Sequence, residues 1–219
     1  MSNRKFDTCF FERYAHVTLH TLLGDDYADL VNEDRPDLQK PDMSLGIEVT
    51  RAMEPSKDVA QNMLKEMAGM EVKDEDREEG DQIIRSGYGY GLQEGKYVGH
   101  LEYEYWSLAL PLRRIIESKV AKVASGFYGE FAEYGLYIFC KDNLTEDEVA
   151  LVVEYACDLQ RHLDVKYSVM YLSQIDKLYV CDLTCADYSD LRSSFTTYEI
   201  SREMCKDFFL RALRRSGDV

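Results

Sequence analysis

Two carboxylates with ten residues between them, Asp37 and Glu48, are the side chains in this sequence best placed to do chemistry together. They lie in the stretch DRPDLQKPDMSLGIEVTR, from Asp34 to Arg51. Two acids that share one ion form an oxygen-only donor set, and such a set suits Mg²⁺ or Mn²⁺. A turn must bring them together. Residues Gln39 to Ser44 are rich in turn formers and are flanked by two short runs that read as strands, which predicts a β-hairpin. In the second run Ile47 and Val49 alternate with Glu48 and Thr50, so one face meets a core and the other carries a carboxylate and a hydroxyl. In the first run, Arg35 to Gln39, Leu38 turns inward and Asp37 shares the opposite face with Gln39. A hairpin centred between Asp42 and Met43 sets residue 37 across from residue 48, where Cβ atoms are roughly 4.5–5.5 Å apart. Pro-Asp dipeptides also start ordinary turns, so a purely structural hairpin is the competing reading.

The order Pro36-Asp37, then Gly46-Ile47, then Glu48-Val49-Thr50 resembles the active-site signature of the PD-(D/E)XK nuclease superfamily, whose fold is restriction-endonuclease-like. The resemblance implies that Asp37 and Glu48 hold the metal, with a lysine two residues after the Glu assisting the attacking water. Thr50 stands where that lysine belongs. The missing cation must then come from elsewhere, and the candidates are Lys119 and Lys122 on a later helix, or Lys57 and Lys65. The first helix of the superfamily commonly brings a Glu toward the metal, which makes Glu12 a third candidate ligand. The alternative is that no other lysine replaces the missing one and Thr50 merely orients the water.

Other groups carry less chemistry. Glu12, His16 and His20 recur at steps of four and so share one helical stripe, but Val17 occupies the position that holds Glu in zinc proteases. Cys181 and Cys185 form a lone CxxxC with no second pair, a poor zinc site. The glycine- and tyrosine-rich run from Gly87 to Gly99 lacks the Lys-Ser/Thr ending of a phosphate loop. A cysteine or metal hydrolase built on His16, His20 or Cys181 therefore has little support.

The elements that must position the acid pair follow from periodicity. Phe6 to about Val31 has helical spacing, as do Ser56 to Met70 and Leu101 to Ser125, where Pro111 marks a kink or a fresh start. Tyr134 to Cys140 is a continuous apolar run, as expected of a strand buried on both faces. Thr145 and Glu148 form a capping box ahead of a helix whose predicted buried stripe is Val149, Val152, Val153, Ala156 and Leu159. Lys166–Ser173 and Lys177–Leu183 read as two strands joined by a short turn. Tyr198 to Arg215 reads as a closing helix with Phe208, Phe209 and Leu213 inward. The expected class is α/β: a restriction-endonuclease-like core over about residues 6–52 and 132–183, a mixed sheet flanked by helices, and a helical insertion over about 53–131. No linker or repeat divides the 219 residues, so a single domain is expected.

Charge sets the limits on partners. The net charge is −15 and the isoelectric point about 4.7, which argues against a broad surface for nucleic acid, because phosphate binding runs on Lys and Arg. Arg113, Arg114, Lys119 and Lys122 lie within one predicted helix, and Arg211, Arg214 and Arg215 crowd the last residues, so local basic surface is available. No stretch is long and apolar enough to cross a membrane, and the first residues lead into no signal-like apolar core, so a cytoplasmic protein is expected. Six scattered cysteines fit reduced thiols there. The leading functional expectation is a Mg²⁺- or Mn²⁺-dependent nuclease or nuclease-like phosphodiesterase acting on DNA or RNA. The alternative is a catalytically inactive binding or regulatory protein of the same fold, whose acidic surface favours a basic protein partner.

Overall fold

The structure, a computed structural model, describes residues 8–52, 92–93, 96–97, 110–140, 143–184 and 191–213. The chain divides into two compact units, residues 1–51 with 119–219, and residues 52–118. The predicted insertion extended to 131, whereas the first unit takes in the chain from Lys119 onward.

In the first unit, helix α1 (Thr8–Leu23) is followed by a 3-10 turn at Asp25–Tyr27 and by three strands: β1 (Val31–Asn32), β2 (Leu38–Gln39) and β3 (Leu45–Ala52). Helix α1 ends eight residues earlier than its periodicity suggests (Leu23 against Val31) because Gly24 takes φ 95°, a conformation open to glycine, while its N–H closes the last turn on the His20 carbonyl. The residues beyond it form the 3-10 turn and β1, an edge strand absent from the sequence reading. Helix α2 (Leu110–Ala124) has Pro111 as its second residue, and only its part from Lys119 onward belongs to the first unit; residues 101–109 of the predicted helical stretch lie outside the described residues. Then come β6 (Glu133–Cys140), α3 (Glu146–Gln160), β7 (Val169–Ser173), β8 (Lys177–Asp182), β9 (Phe195–Glu199) and α4 (Arg202–Leu213). The second unit contributes a small antiparallel hairpin, β4 (Leu92–Gln93) with β5 (Lys96–Tyr97).

Seven strands form one mixed sheet in the order β1-β2-β3-β6-β7-β8-β9. Strands β6 and β7 are parallel, with α3 as the crossover that such a pair requires. The pairs β1–β2, β2–β3, β7–β8 and β8–β9 are antiparallel. The capping box forms as its spacing predicts: Thr145 Oγ1 accepts the Glu148 N–H, and the Thr145 N–H donates to Glu148 Oε2 at 2.7 Å. Of the predicted stripe, Val149, Val152, Val153 and Ala156 are buried, while Leu159 is exposed.

The core lies between the sheet and the two terminal helices. It gathers Ala15 and Leu19 of α1, Leu38, Ile47, Tyr137, Tyr171 and Leu178 of five strands, and Phe208 of α4. Ile47 and Tyr137 face this cluster, so by strand alternation Glu48 and Leu136 face the other side of the sheet. The predicted closing helix is corrected at its start. Phe195–Glu199 pairs with β8 as a strand, and α4 begins after Ser201, whose hydroxyl accepts the Met204 N–H. Phe208 is buried as predicted, Phe209 is 38% exposed, and the Leu213 side chain lies outside the described residues. The predicted helix at 56–70 and the side chains of the 87–99 run lie outside them too.

Candidate functional site

The hairpin between β2 and β3 pairs Leu38 with Ile47 and Gln39 with Gly46. One step further in the same register, residue 37 stands opposite residue 48, the juxtaposition expected from the turn. Local chemistry holds the turn in this frame. Asp42 Oδ1 accepts from the Ser44 N–H at 3.0 Å and its hydroxyl at 2.6 Å, and the Lys40 N–H donates to the Leu45 carbonyl at 2.9 Å. Gly46 allows a close approach: a Cβ there would lie 2.7 Å from Pro36 Cγ, one residue from Asp37.

Each acid has its own partner. Asp37 Oδ2 accepts the Val49 N–H at 2.7 Å, which ties the carboxylate across the hairpin to the residue after Glu48. Glu48 Oε1 accepts from Lys119 Nζ at 2.5 Å, in a pair whose side chains are 14% and 11% exposed, lysine first. Lys119 comes from α2, so an ammonium reaches the acid pair from a helix and not from the strand position held by Thr50. Thr50 is half-buried and lies two residues beyond Glu48 on the same strand. Asp37 thus accepts through Oδ2 and Glu48 through Oε1, and the Tyr128 hydroxyl lies beside Glu48.

The electrostatics are unbalanced. Two carboxylates and one ammonium leave an uncompensated negative charge in a largely dehydrated place. Burial chiefly, and then the neighbouring Glu48, push the Asp37 carboxyl up to about 6; the Val49 N–H and Lys119 oppose this. Glu12 adds a smaller repulsion.

Other predicted residues are differently placed. Glu12 accepts a 2.6 Å hydrogen bond from Asn32 Nδ2, and the described residues contain no group of three or more acidic, His or Cys side chains arranged to hold an ion, so Glu12 does not join a three-acid set. Lys122 sits over the Phe127 ring, 5.0 Å from its centroid, and not at the acids. Lys57 and Lys65 lie outside the described residues. His16 and His20 stack on each other, with His16 Nε2 against the Tyr27 carbonyl and His20 near Asp25. Cys181 is fully buried and burial pushes its thiol up, far from a nucleophile's state; Cys185 lies outside the described residues. Of the basic residues that could supply local basic surface, Arg211 contacts Thr21 and Asp207, Arg113 pairs with Glu117, and Arg214 and Arg215 lie outside the described residues.

Two tyrosines that the sequence reading did not single out belong to this site. Tyr167 donates to the Lys119 carbonyl at 3.4 Å, and Tyr128 is buried beside Glu48 and Tyr167. Burial chiefly, with the nearby acids, raises both phenols well above the usual range, which keeps them protonated. The signal available for Tyr128 was its setting between Gly126 and Gly129, in a short loop directly after the lysine-bearing helix.

The donor set suits a small hard cation. Mg²⁺ usually keeps several waters and takes only one or two carboxylates from the protein, so Asp37 and Glu48 are the residues that could hold one here. A cation between them would also relieve the repulsion that lifts Asp37. Compared with family models, with curated proteins and with solved structures, the chain gives no match.

Proposed function

We propose that this protein is a metal-dependent phosphodiester hydrolase of the PD-(D/E)XK type with nucleic acid as its substrate. Asp37 and Glu48 hold Mg²⁺ or Mn²⁺, and Lys119 replaces the lysine that Thr50 displaces. The observation that carries this reading is the uncompensated, half-buried Asp37 facing a Glu48 already bound to Lys119. A fold gains no stability from a buried charge imbalance of this kind, whereas a cation-binding site is built from one. The hairpin, a sheet with a helical crossover and a leading helix agree with a restriction-endonuclease-like core.

The bound ion supplies a water of lowered pKa and positive charge against the phosphoryl oxygens. The chain supplies the rest. The Val49 N–H fixes the Asp37 carboxylate through Oδ2, and Asp37 would be one of the two residues that hold the ion. Lys119 fixes Glu48 through Oε1 and brings a second positive charge to the phosphate, where charge stabilisation is the main requirement. Thr50 offers a hydroxyl beside them for orienting the water.

Calorimetric titration with Mg²⁺ and Mn²⁺ tests the reading on the wild type, Glu48→Ala and Lys119→Met, alongside cleavage of labelled DNA and RNA oligonucleotides. Binding by the wild type that is lost in Glu48→Ala, with cleavage lost in Lys119→Met, is the expected result. A wild type that binds neither ion overturns it.

One observation favours a second reading. The Lys119 ammonium already serves as a counterion for Glu48, which suits a catalytically inactive member of the same fold that binds a basic protein through its acidic surface. Absence of ion binding together with salt-sensitive association to a cationic protein such as a histone distinguishes it.

A further inference from the structure

The loop after α2 turns on two left-handed glycines, Gly126 (φ 72°) and Gly129 (φ 80°), and sends its two aromatic residues in opposite directions. Phe127 points outward and is 43% exposed; Tyr128 points inward and is 2% exposed. The loop is anchored beyond the pair, where Tyr134 donates its hydroxyl to the Gly129 carbonyl at 2.5 Å and accepts the Phe131 N–H at 3.1 Å. Tyr128 is therefore held in place.

Its hydroxyl is buried and, among the described residues, has no hydrogen-bond partner. Glu48 and Tyr167 lie close enough for their side chains to interact with the phenol, and Asp37 acts on it by charge, but none meets it at full hydrogen-bond distance and angle. A buried polar group without a partner is costly, and phenylalanine would fill the same space without that cost. Only Tyr137 shares this condition among the described residues, and it sits in the apolar core near Thr18 and Ser173, away from the acids. A phenol is a donor at neutral pH, so Tyr128 has an O–H to offer to an acceptor beside Glu48. An ion held by only two protein side chains retains bound waters, whose oxygens are such acceptors.

We propose that Tyr128 is a positioning residue of the ion site: its hydroxyl donates to a water on the Mg²⁺ or Mn²⁺ held by Asp37 and Glu48. This rests on the metal-binding reading above. Tyr128 thereby fixes the hydration of the ion without touching it, as outer-sphere partners do elsewhere.

The test is Tyr128→Phe in the full chain, with three measurements. Without added metal the variant melts at the wild-type temperature or above it, because the lost hydroxyl had no partner inside the protein. Mn²⁺ affinity by calorimetry falls about tenfold, the lower end for loss of an outer-sphere partner. Pulsed electron paramagnetic resonance of bound Mn²⁺ shows altered couplings to water protons. A melting temperature lowered by several degrees without metal means that the hydroxyl has an internal partner, and overturns the proposal. Wild-type affinity with unchanged water couplings also overturns it, while leaving the Asp37–Glu48 site standing. A wild type that binds no Mn²⁺ removes the site itself, and the role of Tyr128 with it.

Discussion

Asp37 illustrates how a side chain can be kept where it harms stability. The unfolded chain ionises this carboxyl near 3.8, whereas the folded protein holds the proton to about 6. Folding is therefore penalised progressively as pH rises through that interval and fully above it. Discounted for partial contact with solvent, the penalty is about 1–2 kcal/mol. Asp37→Asn keeps an oxygen to accept the Val49 N–H and removes the charge. In metal-free buffer at pH 7.5 it is expected to be more stable than the wild type by that amount in urea denaturation, the difference vanishing as pH falls from 6 toward 4. The same variant should lose divalent-ion binding. A less stable Asp37→Asn at pH 7.5 would mean that the carboxylate is fully compensated within the protein.

At the level of elements, the site depends on how closely β2 and β3 approach. Gly46 makes that approach possible, since a Cβ would meet Pro36 Cγ at 2.7 Å and Phe131 Cγ at 3.0 Å. Its backbone needs no left-handed conformation, so the constraint is space alone. Gly46→Ala is expected to cost roughly 1–3 kcal/mol through overpacking. Because the atom displaced first belongs to the residue before Asp37, divalent-ion affinity should also fall, which calorimetry would detect in protein still folded by circular dichroism. Helix α2 contributes in a different way. Its Val120 and Val123 are buried, while Lys119 reaches Glu48 and Lys122 the Phe127 ring. Three residues along a helix leave two side chains about 60° apart and about 4.5 Å along the axis, so the two lysines are neighbours that reach different groups.

For the first unit as a whole, closure comes from the two ends of the chain. Arg13 Nε of α1 donates to the Ala212 carbonyl of α4 at 2.7 Å, and Tyr14 meets Phe208 edge-on at 6.0 Å between ring centroids. Both helices cover the sheet face opposite Glu48, so their apolar cluster and the charged site lie on opposite faces of the sheet. Phe208 is completely buried in that core. Phe208→Ala is expected to cost about 3–5 kcal/mol, from lost burial plus the cavity it leaves, measured as a lower urea midpoint. Because the damage falls on the far face, any ion affinity retained at low temperature should remain near that of the wild type.

Local chemistry written in consecutive residues was legible from the start: the hairpin frame that opposes 37 and 48, the cap at Thr145, the strand buried on both faces at Tyr134–Cys140, and Lys119 among the candidate cations. Each of these depends on spacing within a few residues or on one element's pattern. Gly24 and Ser201 also signalled the true ends of α1 and α4, but helical periodicity running past them masked both signals. Strands β1 and β9 could not be assigned that way, because a short edge run becomes a strand only when a partner offers its hydrogen bonds. The contact of Lys119 with Glu48, the bond of Glu12 to Asn32 and the burial of the Tyr128 hydroxyl come from packing between separate segments, 71 residues apart for Lys119 and Glu48. Such distances are set by how whole faces fit together, and no local pattern encodes them.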